Sequence, residues 1–89
     1  MEQPLPRNAV GGIVRQLRYK RGWTQGALAA KCEVAGCAIS RGTLAKIEAQ
    51  IRSATDVELY AIALAPKVPI STLYPKDFVH QLKVRGWTR

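Results

Sequence analysis

Residues 17–25 read Leu-Arg-Tyr-Lys-Arg-Gly-Trp-Thr-Gln, and residues 40–48 read Ser-Arg-Gly-Thr-Leu-Ala-Lys-Ile-Glu. The first stretch predicts the end of one helix, a stop at Gly22 and a second helix capped by Thr24, since glycine ends helices readily and threonine is a good N-cap. The second stretch predicts a short helix capped by Ser40. Two helices joined by a turn are the arrangement by which small proteins place side chains in the major groove of DNA.

Apolar residues at three- and four-residue spacing extend the helical pattern around these two stretches. A first helix is expected from Asn8, as its N-cap, to Arg21, and Gly36 is expected to end the second helix. The residues expected to face the core in the first three helices are Val10, Ile13, Val14, Leu17, Leu28, Cys32, Ala35, Leu44, Ile47 and Ile51, with Trp23 beside them.

The C-terminal half predicts further helical segments. Thr55 and Glu58 form a capping-box pattern that opens a fourth helix, and Pro66 stops it. The core residues expected on this helix are Leu59, Ile62 and Ala63. A short helix is expected after Pro69, whereas residues 76–89 fit either a partly alternating strand or a helical turn.

These elements predict an all-α fold, a compact four- to five-helix bundle that contains a helix-turn-helix. The expected organisation is a flexible arm at residues 1–7, a DNA-binding domain at 8–75 and a C-terminal tail at 76–89. The aromatic residues of the tail, Phe78 and Trp87, would be costly to leave in water. They are expected to pack on a partner subunit or on the fourth helix, with disorder of residues 84–89 equally open.

The charge is concentrated in the first half of the chain. The sequence holds 14 Lys and Arg against 6 Asp and Glu, for a net charge of +8, and residues 7–52 carry nine of the cations and only two of the anions. Such a distribution is expected of a phosphate-binding surface, although a merely solvated basic surface is an equal alternative on charge alone. The sequence lacks a long apolar run and a secretory signal, so we expect no membrane contact and a cytoplasmic location.

The sequence contains few residues that could bind a metal ion or catalyse a reaction. Cys32 and Cys37 are expected to be reduced, buried thiols, and only His80 is available to join them as a zinc ligand, so neither a metal nor another cofactor is expected. No phosphate-binding glycine loop or nucleophile motif is present, which makes an enzyme the weakest interpretation.

The motifs from Ile13 to Tyr74, about two thirds of the chain, resemble the phage repressor and Cro-like helix-turn-helix family, also called the xenobiotic-response-element type. The residues that carry the resemblance are Leu17, Arg18, Arg21, Gly22, Trp23, Thr24, Gln25, Leu28, Ala29, Ser40, Arg41, Thr43, Leu44, Lys46, Ile47, Glu48, Asp56, Glu58 and Leu59. The resemblance implies a DNA-binding homodimer whose recognition helix is residues 40–48. It also implies an Arg18–Glu48 ion pair that fixes this helix, and a loop after it that grips the DNA backbone.

Helical geometry supports the same assignment of residues 40–48. At 100° per residue, Leu44, Ile47 and Glu48 share one side, and Gly42 and Lys46 lie on the opposite side. The residues expected to face bases are Arg41, Gly42, Thr43 and Lys46, in which Arg41 suits guanine, Lys46 suits guanine or phosphate, and Thr43 suits phosphate or a thymine methyl. The resemblance, and not this geometry, implies the residues that bind phosphate or orient the base-contacting side chains, which are Thr24, Gln25, Ser40, Arg52 and Ser53.

The chain departs from the family pattern at three places. The connection between the second and third helices is about five residues longer, so either the second helix is longer or the loop is. Pro66 stands where a core leucine is usual, and Gln50 stands where a glycine often closes the recognition helix.

Two functions of different classes therefore remain. The leading hypothesis is a sequence-specific, dimeric transcriptional repressor or autoregulator on a palindromic operator, with double-stranded DNA as the partner. The alternative is a protein-interaction module, such as an antitoxin, that holds a partner protein through residues 76–89.

Overall fold

The structure is a computed structural model that describes residues 6–78 and residue 80. These residues form four α-helices and a single turn of 3-10 helix: α1 (Gly11–Lys20), α2 (Gln25–Val34), α3 (Arg41–Glu48), α4 (Asp56–Leu64) and the 3-10 helix (Ile70–Leu73). The described residues contain no strand, and the predicted all-α class is confirmed. The predictions made for residues 1–5 of the arm, and for Val79, Leu82, Val84 and Trp87 of the tail, lie outside the described residues.

Three helices begin at the side-chain caps that the sequence predicts. The hydroxyl of Thr24 accepts the Ala27 amide at 3.0 Å, and that of Ser40 accepts the Thr43 amide at 3.1 Å. At the start of α4, the Thr55 hydroxyl accepts the Glu58 amide and the Glu58 carboxylate accepts the Thr55 amide, which completes the capping box. These caps satisfy N–H groups that have no partner within their own helix.

The start of α1 differs from the prediction. The helix begins at Gly11 and not directly after Asn8, because Val10 takes the cap position without a side-chain bond. The Asn8 side chain still satisfies this end, since its Oδ1 accepts the amides of Val10 at 3.1 Å and Gly11 at 2.8 Å. Asn8 therefore caps α1 from two positions before the N-cap residue Val10.

The helix ends follow local backbone chemistry. Gly22 and Gly36 adopt φ values of +70° and +98° after α1 and α2, a conformation that glycine reaches at little cost. α4 ends at Leu64, just before Pro66, as predicted. After α2, residues 35–40 form the connection to α3, and Ile39 anchors it in the core. The added length thus includes a longer loop, which Ile39 holds in the core just before the start of α3.

The core lies where the four helices meet. α3 packs against α1 and α2, and α4 packs against α2 and the 3-10 helix. The buried apolar residues are Val10, Val14, Leu28, Cys32, Ile39, Leu44, Ile47, Ala61, Ile62, Ala63 and Leu73. Burial, together with the nearby Cys37, raises the pKa of the Cys32 thiol to about 11, so this free thiol behaves as a small apolar side chain.

Of the residues predicted to be buried, Ile13 and Cys37 are only half-buried, and the prediction for Ile51 is wrong. Ile51 is 66% exposed, because α3 ends at Glu48 and the chain turns sharply at Gln50. Gln50 has a φ of +63°, so the helical periodicity that would direct Ile51 inward does not continue past it.

Candidate nucleic-acid interface

α3 has two chemically distinct sides. Leu44 and Ile47 are fully buried against the neighbouring helices. Arg41, Gly42 and Lys46 are exposed on the other side. On this exposed side no side chain projects at Gly42, and Arg41 and Lys46 place a positive charge near each end of the helix. α3 is therefore able to approach an anionic groove closely.

The first turn of α3 is held by its own cap. The Ser40 hydroxyl accepts the Thr43 amide and also bonds to the Thr43 hydroxyl at 3.0 Å. Thr43 is half-buried, and this bond fixes the direction of its hydroxyl. This cap therefore sets the orientation of two residues that are predicted to meet DNA.

The inner side of α3 is fixed by an ion pair between Arg18 and Glu48. Arg18 donates from Nε to Oε2 at 2.7 Å and from the second guanidinium nitrogen to Oε1 at 2.9 Å. The remaining terminal nitrogen donates to the Trp23 carbonyl at 2.9 Å. Both side chains are buried, and paired, bidentate geometry of this kind constrains position as well as charge. The pair ties α1, the α1–α2 turn and α3 together.

The charge state of this pair follows from its surroundings. Burial, the largest single influence, raises the pKa of Glu48, but hydrogen bonds from Arg18 and Gln25 and the charges of Arg18 and Arg15 together hold that pKa below its usual range. The hydrogen bond to Glu48 raises the pKa of Arg18. Both groups are therefore ionised at neutral pH, and α3 stays anchored there.

Gln25 belongs to the same network. Its Nε2 donates to Glu48 Oε1 at 3.2 Å. An open groove lies beside it, lined by Thr24, Gln25 and Gly26 at the start of α2 and by Arg41 at the start of α3. A Cβ added at Gly26 would lie 3.8 Å from Arg41 Cδ, so the two helix starts are close neighbours. Residues predicted separately for base and phosphate contacts thus line one groove.

Arg52 is less free than the sequence indicates. Its guanidinium bonds to both Glu58 carboxylate oxygens, at 2.9 and 3.2 Å, and to the Ser53 carbonyl at 2.9 Å. The hydrogen bond from Arg52 holds the pKa of Glu58 below its usual range. Arg52 is fixed to the start of α4, while Ser53 is exposed on the same loop. A phosphate contact by Arg52 would have to share the cation with Glu58.

The sequence did not predict a group of hydrogen bonds that joins the C-terminal end of α3 to the residues before α1. We call this group the latch. Asn8 Nδ2 donates to the carbonyls of Ile47 at 3.0 Å and Arg52 at 2.7 Å. Gln50 Nε2 donates to the Asn8 carbonyl at 3.0 Å, and the Arg7 amide donates to the Gln50 carbonyl at 2.9 Å. These bonds offset the free-energy cost of the left-handed backbone conformation at Gln50. They also hold the end of α3 against the segment before α1.

Gly11 completes this latch through its lack of a side chain. A Cβ at residue 11 would lie 2.3 Å from the Ile47 carbonyl oxygen and 2.9 Å from that of Glu48. Only glycine permits α1 and the end of α3 to approach so closely. The sequence signal was present, because Gly11 interrupts an otherwise helical pattern, but the pattern alone cannot name the contact.

Comparison with known proteins agrees with this geometry. A family model described as helix-turn-helix matches residues 14–73, which is more than half of the chain. Searches of curated proteins and of solved structures found no match. In the part of the chain that the structure describes, no helix has the length and apolar character needed to span a bilayer.

Proposed function

Because this chain belongs to the helix-turn-helix family of DNA-binding transcription regulators, the xenobiotic-response-element type that includes phage repressor and Cro-like proteins, we propose that it binds a palindromic DNA operator as a homodimer. In this proposal α3 enters the major groove, and bound protein represses transcription, including that of its own gene. The two half-sites would lie about 10 bp apart, one turn of the DNA helix.

The proposal rests on one observation, which is that one side of α3 is held in the core while its opposite side is exposed to solvent. Its inner side is held by burial of Leu44 and Ile47 and by the Glu48 ion pair. Its outer side presents Arg41 and Lys46 to solvent. Because the backbone of α3 is already held, binding need order only the side chains on its outer side, and guanine offers acceptors that arginine and lysine match.

Each predicted side chain has a distinct role in this proposal. Arg41 contacts a guanine at the start of α3, Gly42 lets the helix lie close to the bases, and Lys46 reaches a guanine or a phosphate one turn later. Thr43, oriented by Ser40, contacts a phosphate or a thymine methyl. Phosphate contacts set the register and base contacts supply the sequence preference.

Backbone contacts in this proposal come from both flanks of α3. Thr24 and Gln25 approach phosphates from the start of α2, where helix N-termini favour anions. Gln25 also orients the network, since it bonds to Glu48. Arg52 and Ser53 contact the backbone from the opposite end, with Arg52 shared with Glu58.

The test is selection of bound duplexes from a random double-stranded pool at about physiological salt, where non-specific binding is weakened. An enriched inverted repeat is the expected result. Arg41→Ala should then reduce discrimination between the selected and a scrambled duplex by about 1–3 kcal/mol. Lys76→Ala, which removes one exposed cation beyond the 3-10 helix, is the charge-matched control and should leave discrimination unchanged. A pool that stays random, with binding that vanishes as salt rises, would contradict the proposal.

The alternative, a partner-protein module such as an antitoxin, rests on four tail residues, Phe78, Val79, Leu82 and Trp87, and only Phe78 belongs to the described part of the chain. The Phe78 ring packs on Tyr74 with centroids 4.9 Å apart. This contact accounts for Phe78 without a partner. If the alternative holds, a double Arg41→Ala, Lys46→Ala variant should retain a copurifying protein that is lost on deletion of residues 81–89.

A further inference from the structure

α4 carries an exposed apolar surface that the DNA-binding role does not use. Val57, Tyr60 and Leu64 are 61%, 58% and 44% exposed. Their spacing of three and four residues places them on one face of the helix. We call these three side chains the α4 stripe.

The composition of α4 is that of a helix covered on every side. All its residues except Asp56 and Glu58 are apolar, and Ala61, Ile62 and Ala63 already fill the core side. Helices that are apolar all round are normally buried all round. The α4 stripe is therefore the part of this helix that lacks a cover among the described residues.

Charge indicates which molecule covers the stripe. Each of the other three α-helices carries lysine or arginine, whereas α4 carries none and begins with Asp56 and Glu58. Two copies of a chain with a net charge of +8 repel each other over most of their surfaces. α4 is therefore the α-helix that brings no cation of its own to a second copy. Of the cations that flank it, Arg52 is bonded to Glu58, and Lys67 lies past the Leu64 end, which faces the acidic end of the second copy when the helices are antiparallel.

We propose that the α4 stripe is the surface by which two copies of this chain associate, helix against helix, about a two-fold axis. The inference rests on the proposed dimeric operator binding and assigns its subunit contact. In an antiparallel pair, Val57 faces the Leu64 end of the second copy, and Tyr60, near the middle of the stripe, lies next to the same residue of that copy.

The size of the stripe sets the strength of this contact. Val57 and Leu64 are separated by about 10 Å along the helix axis, at 1.5 Å per residue. Three side chains from each copy cannot fill the area of about 1,000 Å² expected of a stable interface. The free protein therefore associates weakly, and adjacent half-sites strengthen the contact by raising the effective concentration of the two copies.

Sedimentation equilibrium of the full chain, alone and with full-site or half-site duplexes, tests the inference. Tyr60→Lys places like charges at the two-fold axis and should raise the dimer dissociation constant at least about tenfold. It should also abolish cooperative binding to the full site while leaving half-site affinity within about twofold, because the cation adds only non-specific attraction. Val34→Lys is the matched control, since Val34 is an apolar residue that is 90% exposed at the end of another helix, α2.

A charge-swap experiment gives a positive readout. Tyr60→Glu alone should also lose association, and an equimolar mixture with Tyr60→Lys should recover it through a lysine–glutamate pair at the axis. Leu64→Lys repeats the test at a second position if a Tyr60 variant fails to fold.

Three results would overturn the inference. These are unchanged association of Tyr60→Lys, equal loss in Val34→Lys, and a wild type that binds the full site without cooperativity. A Tyr60→Lys variant that stays monomeric like the wild type, but unfolds at a markedly lower temperature, would mean that the chain's own tail covers the stripe. Failure of the proposed function is separate, because it appears as loss of sequence preference on half-sites, whereas association without DNA still reports on the stripe.

Discussion

The contact between α1 and the end of α3 predicts opposite effects for one substitution at two neighbouring positions. At Gly11, an added Cβ would lie 2.3 Å from the Ile47 carbonyl oxygen and 2.8 Å from Gln50 Cγ, and the end of α3 must retreat by about 0.7 Å to restore a separation of 3.0 Å. At Gly12, an added Cβ would have no neighbour within 4 Å. Gly11→Ala and Gly12→Ala therefore differ in packing and share the same gain in helix propensity.

The expected changes in the free energy of unfolding follow from helix propensity and from packing. Alanine is favoured over glycine in a helix by up to about 1 kcal/mol, which is the expected gain in stability for Gly12→Ala. Overpacking costs about 1–3 kcal/mol, so Gly11→Ala should lose up to about 2 kcal/mol net. Because both variants share the propensity gain, they should differ by the packing cost alone, about 1–3 kcal/mol in the free energy of unfolding.

Urea unfolding of both variants and the wild type, with the slope m compared, measures this difference. Operator affinity should fall for Gly11→Ala and not for Gly12→Ala, because only the first displaces the backbone of α3. A Gly11→Ala protein as stable as Gly12→Ala would refute the close approach as the reason for glycine at residue 11.

The remaining predictions concern the two ion pairs. Glu48→Ala should destabilise the protein by about 3 kcal/mol in urea unfolding, because it leaves Arg18 buried without its carboxylate; an Arg18→Met, Glu48→Leu double variant should lose less, and an equal loss would contradict the role of the pair. Since the folded state lowers the pKa of Glu48 and Glu58, the unfolded state binds more protons in acid. Stability should hold above about pH 5 and fall as the pH drops through the folded pKa values, and unfolding curves of Glu48→Gln should show a smaller acid loss. Arg52→Ala should weaken binding to all duplexes and reduce the slope of log affinity against log salt by about one unit, whereas an unchanged slope would remove Arg52 from the backbone contacts.

Local chemistry explains why most helix boundaries were predictable. The caps of α2, α3 and α4 join residues three apart, so the sequence displays both partners together. The apolar spacing of Leu44 and Ile47 likewise reports directly on the buried side of α3. Such signals do not depend on how the helices pack.

The latch was not predictable, because its partners are far apart in the chain. Asn8 and Gln50 are 42 residues apart, and each shows only its local meaning in the sequence, a cap and an unusual helix end. The exposure of Ile51 follows from the same turn. The Arg52–Glu58 pair was missed for another reason, since Glu58 was assigned to the capping box and its carboxylate serves both partners.

The ion pair of Arg18 and Glu48 was less predictable than the helix caps and more predictable than the latch. Thirty residues separate them, and no local pattern links an arginine in one helix to an acid in another. The family resemblance supplied the pairing, and the structure gives its distances. The predicted contacts of Arg41, Thr43 and Lys46 with bases stay predictions.

The two-sided construction of α3 has a consequence for how such a protein changes over generations. The contacts that hold the helix use Leu44, Ile47 and Glu48, and none of them involves the exposed side chains of Arg41 or Lys46. Mutations on the outer side therefore alter the chemistry offered to DNA while the folding free energy stays nearly constant. If α3 reads DNA as proposed, a lineage carrying this scaffold can drift to new target sequences in single steps, without first acquiring a stabilising change elsewhere.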